Sequence, residues 1–421
     1  MRTGGITATP SVHRLLDHGG PYEVFLLRAD GWYDRGGIYR DSAYVEFTDA
    51  VDRAAFFGHC VAQWVVGTGR RYDLVHANDW QSGAAVAHLR AARGDAELPR
   101  LLMNVHSAAY RGELRSPEAS GLPPQWLETL LARADGEPNL LLLGLLAADA
   151  ATTGSPGYAG ELTAELAHTP MGDALAAQEF TGIVAGVDPT VWDPAKNLPT
   201  TFDAASVTAG KRANKIALQE RAGLKSDLDV PVVGVCARLV EEKGIDLMLS
   251  GLGPLLRDGS AQLVIVGPAE GRYRAALADL ISEAPLAVHH TPAFEQGLAW
   301  LVYAGADFTV MPSRVEPCGL NQLIAMAYGT MPLVTAVGGL RDTVTDLVAW
   351  PESGTGFVIA GHSAAAVRTT AVTAVTWWRE QPDAVHAARV RAMTQDWSWA
   401  RTARHTATLY HALTRNHARD N

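Results

Sequence analysis

The sequence predicts an α/β fold built as two Rossmann-like domains facing each other across a cleft. Three observations carry that prediction. Short apolar or β-branched runs alternate with longer Ala- and Leu-rich stretches of helical character. The short runs lack the in–out alternation of a half-exposed strand, so they fit parallel strands buried on both faces. And 421 residues exceed what one ordinary core accommodates.

Taken in order, residues 74–76 read as a strand, 83–92 as a helix and 101–106 as the next strand. In the second half, strands are expected at 230–236, 262–266, 287–289, 308–311 and 331–334. Helices are expected between and after them, at 244–256, 272–281, 320–328 and 340–346. The polar run Lys225-Ser226-Asp227-Leu228-Asp229 leads into Val230-Pro231 and a clear strand, and a weakly patterned stretch at 193–207 lies upstream. These signals place the domain boundary at 225/226, giving a first domain over 1–225 and a second over 226–395.

Composition narrows the function. Apolar residues make up 48% and charged residues 19%, as expected of a globular chain. A formal charge of −10 argues against a nucleic-acid partner, whose phosphates are bound by clustered Lys and Arg. The three cysteines, Cys60, Cys236 and Cys318, are odd in number and far apart, which fits a reducing compartment with neither a disulfide framework nor a zinc site. The longest apolar run, 140–148, falls far short of the ~20 residues a membrane span needs. The start lacks the apolar segment of a secretion signal. The expectation is a cytoplasmic protein; the oligomeric state leaves no mark in the sequence.

Two motifs carry the chemistry. Arg238-Leu239-Val240-Glu241-Glu242-Lys243-Gly244 follows an expected strand. Its arginine offers a planar fork for phosphate oxygens and its lysine a mobile point charge, suited to a leaving group that gains negative charge. Glu316-Pro317-Cys318-Gly319-Leu320 follows another strand and is expected to open a helix, whose free N–H groups make an anion or sugar-hydroxyl site. Glu316 can contact sugar hydroxyls or stabilise positive charge at an anomeric carbon; it also fits a helix cap. Gly338-Gly339-Leu340-Arg341-Asp342-Thr343 repeats the strand, glycine and helix-start logic, with backbone amides for a distal phosphate.

In the first half, His76-Ala77-Asn78-Asp79-Trp80 follows one strand and His106 ends the next. Either histidine also fits a structural role. Cys318 reads as a small buried thiol rather than a nucleophile. Asp227-Leu228-Asp229 precedes a strand and reads as solvated charge, so no metal and no cofactor is expected.

With these residues in place, the chain resembles the bacterial glycogen synthase and plant starch synthase family. The resemblance spans nearly the whole chain. It takes in His76 to Trp80, His106 with Tyr110 and Gly112, Ser155 to Glu161, Gly186-Val187-Asp188 with Trp192, and Arg238 to Gly244. It continues through Pro312-Ser313-Arg314, Glu316 to Gln322, Gly338 to Thr343 and Asp396-Trp397-Ser398-Trp399. It implies the GT-B fold and retaining glucosyl transfer from ADP-glucose, as donor substrate, to an α-glucan. It further implies that Arg238 and Lys243 hold the ADP phosphates, that Glu316 acts at the transferred glucose, and that Tyr158, Cys318, Gly319 and Leu320 belong to its pocket. Gly338, Gly339 and Thr343 would serve the distal phosphate side, and Asp79 and His106 would lie over donor sugar and acceptor. A last segment, 396–421, would carry a helix back to the first domain.

The chain departs from the family pattern at four points. The family opens with a strand and a Lys-x-Gly-Gly-Leu loop, whereas the chain is expected to begin after that unit; Met1-Arg2-Thr3-Gly4-Gly5-Ile6 reads as a chance likeness. Ala185 stands where the family has Asn, and Ser107 follows the cleft histidine in place of Asn. Leu143 stands near Gly144 in place of the usual lysine. The leading expectation is a glycogen synthase. The alternative is an impaired or truncated homologue that binds glucan without turnover.

Overall fold

The computed structural model describes the chain except residues 1, 4, 5, 8, 39, 40, 42–44, 46, 93–98 and 418–421. It divides into two compact units. The first comprises residues 1–154, 159–183 and 406–421; the second comprises 155–158 and 184–405.

The first unit starts with two antiparallel pairs: β1 (Arg2–Thr3) with β2 (Ile6–Thr7), then β3 (Ser11–Leu15) with β4 (Val24–Arg28). Gly4 and Gly5 lie outside the described residues, and the next described element after them is a strand. A parallel sheet follows in the order β5 (Leu74–Asn78), β6 (Arg100–Val105), β7 (Ala150–Thr153) and β8 (Glu179–Gly182). Helix Ala50–Gly67 packs on helix Trp80–Ala91, and that on the apolar helix Leu140–Ala147. Glycines permit the close approach: a Cβ on Gly83 would lie 1.9 Å from the Leu140 carbonyl oxygen. The end of the last helix, Trp399–His417, brings Leu409 and Leu413 into a cluster with Leu102 and Ala150.

The second unit holds a six-stranded, wholly parallel sheet. Its strands are β9 (Val232–Cys236), β10 (Gln262–Val266), β11 (Val288–Thr291), β12 (Phe308–Met311), β13 (Met331–Thr335) and β14 (Phe357–Ile359), in the order β11-β10-β9-β12-β13-β14. Central residues such as Leu263, Val264 and Ile265 are fully buried, as expected of strands covered by helices on both faces. The strand order reverses between β9 and β12. In such sheets ligands bind beyond the carboxyl ends of the strands at that switch point.

The expected boundary at 225/226 is corrected, because that position lies inside the second unit. Helix Val207–Arg221 belongs there, packed on helix Gln296–Gly305. It sends two lysines into the interior. Lys215 Nζ lies 2.8 Å from Asp307 Oδ2, and Arg389 reaches the other oxygen of the same carboxylate at 3.2 Å. Lys211 Nζ donates to the carbonyls of Tyr303 and Ala304 and to Thr330 Oγ1, at 3.1, 3.1 and 2.6 Å. These groups tie the segment to the second sheet before the polar run that resembles a linker. The crossing back likewise falls within the last helix, at 405/406, rather than at 395/396.

Candidate active site

In the second unit, β9, β12 and β13 are consecutive neighbours, so the three loops that leave their carboxyl ends converge. The first two carry Arg238 to Gly244 and Pro312 to Leu320, and the third leads into the short helix Gly338–Thr343. A short 3-10 turn, Glu241–Lys243, ends at Gly244 with φ 64°. Glycine is required there twice over, for the left-handed backbone and because a Cβ would lie 2.0 Å from the Pro312 carbonyl oxygen. The two loops therefore touch backbone to backbone. That approach brings Lys243 Nζ to 2.7 Å from Glu316 Oε2.

The Glu316 side chain is 7% exposed. Burial of a carboxylate is tolerated only with partners. Lys243 supplies the charge, and Ser313 Oγ donates to the same oxygen at 3.2 Å. Arg238 is exposed, and its guanidinium makes no hydrogen bond or ion pair with any described residue. The loop thus presents one cation already engaged and one open to a ligand.

The run from Glu316 to Leu320 does not itself open the helix. The helix is Asn321–Ala327, and Gly319 turns ahead of it at φ 73°. The run is instead a loop braced from below. Gly339 N–H donates to the Glu316 carbonyl at 3.0 Å. Added Cβ atoms on Gly338 and Gly339 would lie 2.0 Å from the Glu316 oxygen and 2.1 Å from the Cys318 oxygen. Gln322 Nε2 donates to the Cys318 and Gly319 carbonyls at 3.1 and 2.9 Å. Ser155 Oγ donates to the Pro317 carbonyl at 2.7 Å and accepts from the N–H of Tyr158, a buried residue, at 3.1 Å.

Two expected roles change in kind. The Gly339 amide is engaged with Glu316 rather than held open for a phosphate. Thr343 is buried, and its hydroxyl donates to the Gly339 carbonyl at 2.6 Å, so it supports the turn from beneath. Leu320, by contrast, is exposed at the helix start. Burial pushes the Cys318 thiol up to about 11, and its sulfur accepts from the Ala185 N–H at 3.3 Å. A thiol of that acidity stays protonated at neutral pH and is a poor nucleophile.

In the first unit, Asp79 follows β5 and His106 follows the neighbouring β6. Asp79 precedes helix Trp80–Ala91 yet makes no side-chain cap. Its carboxylate turns to His106 instead. Oδ1 accepts from the His106 backbone N–H at 2.7 Å, and Oδ2 accepts from Nδ1 at 3.0 Å. The backbone of Asp79 adopts φ 57°, ψ −179°, a region occupied almost only by glycine. The hydrogen bond to Asp79 holds the His106 imidazole above its ordinary acidity value. Asn104 Nδ2 lies 3.2 Å from His106 Nε2 and donates to Asn78 Oδ1 at 3.0 Å.

His76 separates from this pair: its Nδ1 lies 2.7 Å from the Tyr410 hydroxyl, and burial lowers its pKa. It is the structural histidine of the two. The Trp80 ring packs beneath Gly112, where a Cβ would lie 2.4 Å from it.

Sequence reasoning gave no role to the residues that brace these groups: Ser313, Arg314, Asp342 and Asn104. Asp342 Oδ2 accepts from the Gly157 N–H at 2.6 Å. Arg314 and Asp342 lie far in sequence from Asp246 and Gly157, and none of the four carries a periodic signal.

Comparison with known proteins bears on the family and the fold. Residues 8–177 match the starch synthase catalytic domain model, and residues 218–381 match glycosyl transferases group 1. The glycogen synthase of Paracidovorax citrulli is 38% identical over 422 residues, covering 96% of this chain and 82% of that protein. That of Anaeromyxobacter sp. is 38% identical over 394 residues, covering 90% and 80%. Among solved structures, the catalytic domain of starch synthase IV from Arabidopsis thaliana, bound to ADP and acarbose, aligns with a TM-score of 0.87 at 23% identity. The alignment covers 98% of this chain and 86% of that one. Sucrose-phosphate synthase from Thermosynechococcus elongatus aligns with a TM-score of 0.58 at 22% identity, covering 88% and 80%. Both likenesses concern the fold, two Rossmann-like α/β units of the GT-B class. The chain belongs to the glycogen synthase and starch synthase family of glycosyltransferases.

Proposed function

We propose that the chain transfers glucose from ADP-glucose to the non-reducing end of an α-1,4-glucan with retention of anomeric configuration. The observation that carries this reading is the Lys243–Glu316 contact at 2.7 Å, with the exposed Arg238 guanidinium on the same loop. Charge that develops on a departing diphosphate is stabilised by cations fixed before the reaction begins. Arg238 and Lys243 take that role in place of a divalent ion.

Glu316, buried and held by Lys243 and Ser313, faces the transferred glucose. It orients a sugar hydroxyl and favours positive charge at the anomeric carbon. Cys318, Gly319, Leu320 and Tyr158 shape the pocket wall, and the Gly338–Gly339 turn borders the distal phosphate, with Thr343 behind it. The leaving phosphate takes the proton of the acceptor hydroxyl. Asp79 and His106 contact hydroxyls of the donor sugar and acceptor. The ADP of this reading is supported by the starch synthase relative, which was solved with ADP and acarbose.

The test is ADP release from ADP-glucose with glycogen as acceptor, run also with excess chelator and with UDP-glucose. Release that survives the chelator, with retained stereochemistry in the product, is expected. Glycogen binding without ADP release would sink the proposal and leave a glucan-binding homologue.

A further inference from the structure

We infer that Arg314 is a positioning residue, which locks the loop bearing the phosphate cations to the loop bearing the carboxylate. The inference rests on the proposed function, since it concerns the same site.

Arg314 lies two residues before Glu316 in sequence. Its backbone N–H donates to the Glu242 carbonyl at 2.8 Å. Its guanidinium forks onto Asp246, with Nη1 to Oδ1 at 2.9 Å and Nη2 to Oδ2 at 2.7 Å. Nη1 also donates to the Glu241 carbonyl at 2.8 Å. Glu241 and Glu242 immediately precede Lys243, and Asp246 opens helix Ile245–Arg257 just after Gly244. One planar group therefore holds the Lys243 segment from both sides.

The arrangement matters for geometry more than for stability. The Arg314 side chain is 34% exposed and Asp246 48%, and ion pairs at such positions contribute little to folding. A bidentate fork fixes direction as well as distance. The neighbouring charges are already engaged: the Glu241 carboxylate pairs with Arg272 at 2.8 Å, and the Glu316 carboxylate with Lys243. Arg314 holds Asp246 below the usual carboxylate range, so the pair stays ionised at neutral pH. Without the fork, the Lys243 turn keeps the Gly244–Pro312 approach and the backbone bond from Arg314 to Glu242 but loses its side-chain anchors at Asp246 and the Glu241 carbonyl, so the Lys243–Glu316 distance is held less tightly. A misplacement of about 1 Å costs on the order of 10²-fold in rate.

The test compares Arg314→Met, Arg314→Lys, Asp246→Asn and the double variant Arg314→Met/Asp246→Asn. Arg257→Met, at an exposed ion pair with Glu283, serves as control. Three quantities are read on each: kcat and KM for ADP-glucose with glycogen, the Kd for ADP, and the unfolding temperature. Arg314→Met is expected to lower kcat/KM by roughly 10²-fold, mostly in kcat, and to weaken ADP binding about tenfold, because the same turn carries Lys243. Its unfolding temperature should match that of Arg257→Met, and the double variant should be no worse than the single ones. Arg314→Lys should restore only part, because an ammonium cannot make the fork. Arg314→Met with unchanged kcat/KM and unchanged ADP affinity overturns the inference, as does a loss that Arg314→Lys restores fully. If the wild-type chain releases no ADP from ADP-glucose, the proposed function falls, and the ADP affinities alone decide the role of Arg314. A wild-type chain that does not bind ADP overturns both.

Discussion

Two carboxylate pairs, one with a lysine and one with a histidine, sit at the carboxyl ends of parallel strands, one in each unit, and they are built in opposite ways. In the second unit, Glu316 is buried and Lys243 mostly so, with side chains 7% and 27% exposed. The pair is forced together by glycine-only backbone contacts, and Ser313 donates to the same carboxylate oxygen as Lys243. In the first unit, Asp79 and His106 are more open, at 31% and 59%. That pair is held by one strained residue and two hydrogen bonds. Under the proposed function the difference separates two tasks: the pair that meets the leaving diphosphate is prearranged and shielded, and the pair that meets sugar hydroxyls stays wet and titratable.

The comparison breaks first, if it breaks, at Glu316. Glu316→Gln keeps the shape but removes the charge facing Lys243. Turnover is expected to fall by about 10²–10³-fold, measured as ADP release at saturating substrates. Asp79→Asn should cost less in the same assay.

The second prediction concerns the frame. Gly338 has φ 42°, and an added Cβ would lie 2.0 Å from the Glu316 carbonyl oxygen. Gly338→Ala should destabilise the protein by about 3 kcal/mol, from left-handed backbone and overpacking together. Urea denaturation reads this; a change near zero would mean that the loop is loosely built.

The third sharpens the contrast at Asp79. Alanine there keeps the backbone strain and loses the hydrogen bonds, whereas glycine loses the bonds but relieves the strain. Asp79→Gly should therefore be more stable than Asp79→Ala by about 1–3 kcal/mol, with activity lost in both. Equal stabilities would show that the backbone of Asp79 is not strained.

The smallest effect is in pH. Because Asp79 raises the His106 pKa above the ordinary 6.5, the stability it contributes is fully present below 6.5 and is lost as pH rises through the folded value. A ring-proton NMR titration should show the His106 midpoint falling toward 6.5 in Asp79→Asn.

Much of the second sheet was legible in sequence. Strands covered on both faces read as apolar runs, so the strands expected at 262–266 and 308–311 match β10 and β12, and 331–334 falls one residue short of β13. Helix 244–256 differs from Ile245–Arg257 by one residue at each end. Helix Val207–Arg221 was missed because its composition is that of a surface helix; nothing local tells that Lys211 and Lys215 point inward to Asp307 and to helix-end carbonyls. The β3–β4 hairpin was missed although β4 carries the apolar run Val24 to Leu27, because its partner β3 is mixed in composition and exposed throughout.

At the site, Arg238, Lys243 and Glu316 stood out because charged residues beside glycine after a strand are chemically conspicuous. Whether Glu316 opened a helix or formed a braced loop was not legible. That depends on Gly319, Gln322 and Gly339 meeting in space. The Arg314 fork was illegible for the same reason, since Asp246 lies far upstream.

The central claim is that Lys243 and Glu316 act as one prearranged unit in transfer. The direct measurement is a double-mutant cycle on kcat/KM for ADP-glucose, using Lys243→Met, Glu316→Gln and the pair. The account predicts that the double variant is scarcely worse than the more damaged single one. Losses that simply multiply would show that the two side chains act independently, and would contradict it.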